Sequence, residues 1–309
     1  MRVVVTGGAG FIGSHVSDAL VERGDEVIAV DDCSGADREY LNPKADFQQL
    51  DIRTPEAAEL IRQRRPDAVC HHAAQMSVSR SVREPLFDAD VNVKGSLNLL
   101  AAAQEVGARF VFASTGGALY GETENRPTPE SHPAWPASPY GVGKLAFEHY
   151  LHCYRVEHQV SYAALRYANV YGPRQNPHGE AGVVAIFCLK LLAGQEAVIN
   201  GDGLYYRDYV HVSDLVSANL KALDSDVVGH FNVGTGRETS VNEVYGALAR
   251  ELSVDAQEKH GPARRGDLRA ASLDSTLIGE KLGWKARISL EEGLAGTARW
   301  FLGRHHRTG

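Results

Sequence analysis

The sequence predicts an α/β protein: a doubly wound parallel sheet with helices on both faces, followed by a smaller C-terminal α/β lobe. Short β-branched or aromatic runs, Val3 to Val5, Val27 to Val30, Ala68 to Cys70 and Phe110 to Phe112, alternate with longer segments of helical spacing. A glycine-rich turn joins the first of these strands to the first helix. The 309 residues are 43% hydrophobic and 23% charged, ordinary for a globular chain large enough to bury a core without a disulfide or metal staple.

Taken in order, strand Arg2 to Thr6 runs into Gly7, Gly8, Ala9, Gly10, Phe11, Ile12 and Gly13, and helical spacing continues to Arg23 before Gly24 stops it. The second strand ends at Asp31. The strand Phe110 to Ala113 ends in Ser114, Thr115, Gly116 and Gly117, and Ser138-Pro139 opens a helix over Tyr140 to Glu157. From about Tyr171 the pattern loosens into shorter elements, with turn clusters at Gly172 to Gly182 and Asn200 to Gly203. The expected organisation is a nucleotide-binding domain over 1–170 and a substrate lobe over 171–309, with the segment near 205–235 returning to the first domain.

GxxGxxG between strand and helix has a physical reason. Glycine is needed where the chain turns sharply, where backbone N–H groups approach a diphosphate at the positive helix end, and where helix and strand pack closely. Asp31 stands about 20 residues beyond, where an acid takes the adenosine ribose hydroxyls. A carboxylate there repels a 2′-phosphate, so NAD is favoured over NADP, and the domain reads as Rossmann-type.

Tyr140 and Lys144 are four residues apart, which puts them on one face of a helix, one turn from each other. An ammonium close to a phenol favours the phenolate and makes tyrosine a usable base. YxxxK alone occurs often by chance on helix surfaces. Ser114 and Thr115 add hydroxyls at the carboxyl edge of a parallel strand, where open α/β sheets bind ligands.

A net charge of −7 argues against nucleic acid or an anionic membrane as partner. The basic runs Arg62 to Arg65 and Arg304 to Arg307 read as solvated surface, and the longest apolar run, Val183 to Leu189, is far short of a membrane span. Cys33, Cys70, Cys153 and Cys188 form no CxxC or zinc spacing, which points to free thiols and a cytoplasmic location. No metal is expected: His71 and His72 are adjacent on a strand, and His149 and His152 lack a third ligand.

TGGAGFIGSH, HHAA, STGGALYGE, SPYGVGK and LRYANVYGPR together resemble the extended short-chain dehydrogenase/reductase family, most of all its UDP-glucose 4-epimerase branch. The resemblance runs through nearly the whole chain. It implies a tightly held NAD and a UDP-hexose whose C4 is inverted through a transient 4-keto sugar. Tyr140 is then the base, Lys144 holds the nicotinamide ribose and lowers the tyrosine pKa, and Thr115 bonds the 4-oxygen. At the cofactor the resemblance further places Asp51, Ile52, Ala73, Ala74, Asn92, Ser114 and Tyr167, beside the glycine turn and Asp31. At the substrate it places Asn169, Val183, Val184, Val198, Asn200, Arg207, Arg264, Asp267 and Ala271. A homodimer through the helices near Asn92 to Val106 and Tyr140 to Glu157 is implied too. Sister activities on the same scaffold are epimerisation of a UDP-uronate or net oxidoreduction of another nucleotide sugar, and a non-catalytic NAD sensor is the reading from a different class.

Several positions depart from the pattern. Gly116 stands where better-known epimerases carry a serine, and Met76 where they carry a lysine. No carboxylate occurs at Gly117 or Ala118, so elimination across C5 and C6 lacks its expected acid and base. Ala271 replaces a bulky tyrosine, which opens room at the sugar's C2 for an N-acetyl group. Of Arg264 and Arg265, either could face the diphosphate.

Overall fold

The computed structural model describes residues 1–177, 182–255, 257–264 and 266–308. The first half runs β1 (Arg2–Thr6), α1 (Phe11–Arg23), β2 (Glu26–Asp31), β3 (Asp46–Gln49), α2 (Pro55–Arg64), β4 (Ala68–His71), α3 (Val78–Arg83), α4 (Pro85–Ala89), α5 (Ser96–Val106), β5 (Arg109–Thr115) and α6 (Pro139–His158). It continues with β6 (Tyr162–Tyr167), β7 (Asn169–Tyr171), α7 (Val183–Leu192), β8 (Val198–Asn200), β9 (Tyr206–Arg207), β10 (Tyr209–His211) and α8 (Val212–Leu223). The remainder is β11 (Gly229–Val233), β12 (Thr239–Ser240), α9 (Val241–Glu251), β13 (Lys259–Gly261), β14 (Ala270–Ala271), α10 (Thr276–Leu282) and α11 (Leu290–Thr308).

Seven parallel strands form the central sheet in the order β11-β6-β5-β4-β1-β2-β3. Successive side chains of a strand point to opposite faces, so Val3, Val5 and Val111 join the core under α1 and α8, while Val4, Phe110 and Phe112 join the core under α2, α5 and α6. Such two-sided burial is why the strands read as near-continuous apolar runs. The polar strand β3, DFQQ, is the exception, because it lies at the sheet's edge with one neighbour and stays partly exposed.

A third apolar core gathers Val184, Phe187 and Cys188 of α7 with Val244 and Leu248 of α9 and Leu294 and Ala298 of α11. The strands around it are short: β7 pairs with β10, β8 with β13, and β9 lies between β12 and β14. The chain reaches this region after β6, yet α8 packs on α1 and β11 pairs in parallel with β6. Among the described residues no helix is long and apolar enough to cross a membrane.

Beneath the carboxyl end of β5 lies a buried ion pair. The Arg166 guanidinium of β6 donates to the Glu148 carboxylate of α6 at 2.6 and 3.1 Å, Arg166 also donates to the Tyr120 hydroxyl, and Tyr120 donates to Asn232 of β11. Glu148 and Arg166 are both buried.

Candidate active site

One cavity of about 1560 Å³ runs along the carboxyl edge of the sheet. Gly7, Gly10, Phe11, Ile12 and Gly13 line it at one end, with Asp31, Asp51 and Ile52 beside them. Gly7 sits at φ +68°, and a Cβ on it would lie 2.7 Å from the Ala73 backbone nitrogen; a Cβ on Gly13 would lie 2.1 Å from the Gly7 carbonyl oxygen. Both glycines are therefore required by close backbone approach. Gly10 caps α1 without any side-chain bond, and the first turn of that helix carries no acid, so its free amides face the cavity as an anion site. Asp31 accepts from the Ala9 and Cys33 amides at 3.1 and 2.9 Å, and burial raises its pKa against those bonds. Free amides suit a diphosphate and a carboxylate suits a ribose diol, so the residues present fit a dinucleotide.

Further along, the ends of β5 and α6 meet. The Thr115 side chain lies near enough to the Tyr140 phenol to lower its pKa, while the neighbouring Ser114 donates instead to Glu148 and is buried. Of the two candidate hydroxyls, Thr115 is thus the one aimed at the tyrosine. Gly116 cannot simply be serine: a Cβ there would meet Leu273 Cδ1 at 2.4 Å, and the Leu273 amide is itself tied to the buried Asp208 carboxylate.

Lys144 is buried and donates to the Ala113 carbonyl at 3.0 Å, with its ammonium 4.7 Å from the Phe112 ring centre. Burial lowers its pKa to about 8 despite Asp88 and Glu148. Tyr140 differs from the sequence expectation of a lowered pKa. Burial, reinforced by the Asp88 charge, pushes the phenol up to about 12, and Thr115 only partly offsets it. The protein's own groups hold Tyr140 protonated, ready to be tuned by whatever charge enters the cavity.

At the far end, Asn169, Arg207, Arg264 and Asp267 line the same cavity. Arg207 Nη2 lies 3.4 Å from Asp267 and Nη1 bonds the Tyr206 carbonyl, which leaves its outer face for an anion. Arg265 lies outside the described residues. Ala73, Ala74, Ser114 and Tyr167 also line the space.

Six residues expected at the site are not among its lining. Asn92 is buried in a π turn over Asp90–Gly95, where it bonds both backbone groups of Gln75, so it braces the wall from behind. Val184 is buried in the third core and Val183 packs against it. Val198 and Asn200 lie on the small β8 ladder, and Ala271 pairs with Arg207 in register between β14 and β9. Arg174, the last residue of LRYANVYGPR, Trp300 and Arg304 do line it although none was expected at the site, and Arg304 is not the solvated surface cation that its basic run suggested. Arg304 pairs with Asp37 and Glu39 and lies over the Tyr40 and Trp300 rings, joining α11 to the loop after β2 through contacts that no local pattern announces.

His71 and His72 stand at the end of β4. Burial, helped by the Lys144 charge, drives the His71 pKa well down and the His72 pKa to about 3. Because these folded values lie below the unfolded one, the unfolded chain takes up protons that the native one refuses as pH falls below about 6.5. The stability is complete above that pH and is lost on acidification, by about 2 kcal/mol per imidazole between pH 7 and pH 5. Thermal melts should show Tm falling over that range, less steeply in His72→Phe.

Fold and cavity together define a dinucleotide-dependent enzyme with a tyrosine-lysine pair at the carboxyl edge of its sheet. The model of the NAD dependent epimerase/dehydratase family matches residues 3–234, and the chain belongs to that family. It is similar to the UDP-glucose 4-epimerase of Mycolicibacterium smegmatis, with 45% identity over 308 residues, covering 97% of this chain and 98% of that one. Among solved structures, UDP-glucose 4-epimerase of Thermotoga maritima with UDP-glucose superposes with a TM-score of 0.96 at 49% identity, covering 99% of this chain and all of that one. The Thermus thermophilus UDP-glucose 4-epimerase in complex with NAD gives 0.94 at 43% identity, covering 98% and 99%.

Proposed function

We propose that this protein inverts C4 of a UDP-hexose, interconverting UDP-glucose and UDP-galactose, with NAD retained through the cycle. The observation that carries the reading is the meeting of Thr115 and Tyr140, with Lys144 behind them, in one cavity with Arg207, Arg264 and Asp267. The guanidinium groups suit a diphosphate and the carboxylate suits a ribose diol. When bound, NAD supplies acceptance and return of a hydride at the sugar carbon. The positive charges that would flank Tyr140 with the cofactor bound, on the nicotinamide and on Lys144, favour the phenolate, the phenol's proton passing to solvent. The phenolate takes the 4-hydroxyl proton while Thr115 holds the 4-oxygen and Lys144 holds the nicotinamide ribose. The 4-keto sugar turns over, Tyr140 gives the proton back, and the inverted alcohol leaves with no net redox change.

Gly117 and Ala118 line the cavity beside Tyr140 with no carboxylate, which favours epimerisation over elimination. Proton NMR of the purified protein with UDP-galactose and, separately, UDP-N-acetylgalactosamine, without added cofactor, tests this. The anomeric signal of a gluco isomer should appear and be absent with Tyr140→Phe. Failure with both sugars would remove the UDP-hexose assignment.

The reading includes a homodimer in the cytoplasm. Val142, Tyr150 and Val156 on α6 are exposed, which supports pairing through the α5 and α6 face. Light scattering should give twice the chain mass, and Val142→Glu should shift it toward the monomer.

A further inference from the structure

Arg207 reaches the cavity from a strand that gives it little hold. β9 is two residues long, and so are its neighbours β12 and β14, which face Arg207 with Thr239 on one side and Ala271 on the other. Ladders this short are marginal by themselves. The next residue, Asp208, supplies what they lack. Its side chain is 1% exposed, and one carboxylate oxygen accepts the Thr235 amide and hydroxyl at 2.8 and 2.6 Å. The other oxygen accepts the Gly236 amide at 3.0 Å and the Leu273 amide at 3.2 Å. Thr235 and Gly236 form the turn that leads into β12, and Leu273 stands just beyond β14, so one carboxylate fastens both strands that flank Arg207. A Cβ on Gly234 would lie 2.4 Å from the second oxygen, so glycine leaves the carboxylate its place. The Asp208 amide also donates to the Ala271 carbonyl at 3.0 Å, and its carbonyl accepts at 2.8 Å from the amide of Asn169, another lining residue.

We propose that Asp208 is a positioning residue for the substrate: its carboxylate clamps the two strands beside Arg207 and so aims that guanidinium at a nucleoside diphosphate. All four side-chain partners are donors, which calls for two acceptor oxygens; an asparagine of the same shape would turn an NH2 toward some of them. Hydrogen bonds weaken steeply with misalignment, so slack in β9 is read directly as lost grip on the diphosphate.

The inference rests on the nucleotide-sugar reading of the site, and the experiment separates the two. UDP is titrated by calorimetry into wild type, Asp208→Asn, Thr235→Val, Arg207→Ala and the Arg207→Ala, Asp208→Asn double variant. KM and kcat for UDP-galactose, NAD content and melting curves are taken on the same preparations. Asp208→Asn should weaken UDP binding and raise KM about tenfold, with kcat within about threefold of wild type and NAD content unchanged, the pattern of binding lost equally from ground and transition states. Thr235→Val, which removes a single donor, should give a shift of about threefold. The double variant should bind UDP no more weakly than Arg207→Ala, because Asp208 acts through Arg207. Wild-type UDP affinity in Asp208→Asn, or in Thr235→Val should the asparagine variant not fold, would overturn the inference. So would a full further loss in the double variant, or a fall in NAD content in step with affinity, since the carboxylate would then only hold the fold. A wild type that binds no UDP would overturn the nucleotide-sugar reading and this inference with it.

Discussion

Tyr140→Phe is expected to lower kcat by about 10²- to 10⁴-fold while leaving NAD content and melting temperature near those of the wild type. The substitution deletes one oxygen, the atom that meets Thr115, and leaves the ring in its place. No other described group stands ready to take over. Glu148 is committed to Arg166, and Asp88 accepts from Gln75 and Asn92 and is buried. Lys144 lies behind the tyrosine with its ammonium on a backbone carbonyl. Steady-state rates beside the quantified NAD content of the same preparations decide the matter. Activity within tenfold of wild type would mean that the proton leaves by another route.

Arg166→Met is expected to destabilise the fold by about 3–5 kcal/mol, read as a loss of urea resistance. Methionine matches much of the stem's volume, so the cost comes from the charge. Glu148 would be left buried and unpaired, and the Tyr120 hydroxyl would lose its donor. Replacing both partners, Arg166→Met with Glu148→Leu, should recover much of the loss, because two apolar groups of similar shape leave no stranded charge. The double variant loses the partner of Ser114 next to the active residues, so recovered stability with impaired turnover is the expected signature.

The legible parts of this protein are those where backbone geometry or helix pitch demands particular residue types. Gly7 and Gly13 could be read because a side chain at either would collide with backbone, and Asp31 because the end of β2 brings it to the same cavity as those glycines. Tyr140 and Lys144 could be read because four residues make one helical turn. Local spacing carries no comparable record of charge balance. It suggested that Lys144 would lower the tyrosine pKa, whereas burial and Asp88, fifty-two residues upstream, set it the other way. The choice between Ser114 and Thr115 likewise turned on Glu148, a residue whose role depends on how α6 lies against β5. The edge strand β3 escaped notice because a strand with one neighbour need not be apolar. Arg174, Trp300 and Arg304 reach the cavity from distant elements, and no sequence window contains them together with the loop that they touch.

The position of β11 has a consequence for how the protein is made. The edge of the sheet beyond β6 is closed by residues 229–233, so a nascent chain that has just completed β6 must be extended through β11 before that edge is covered. At ordinary synthesis speeds of about 5–20 residues per second this leaves an interval of roughly 3–13 s. Throughout it, β6 presents unpaired amides and carbonyls, and the apolar face that α8 will cover stays open to other chains. Yield in a cell should therefore depend on the supply of chaperones and on translation speed between β6 and β11 more than on the stability of the finished molecule.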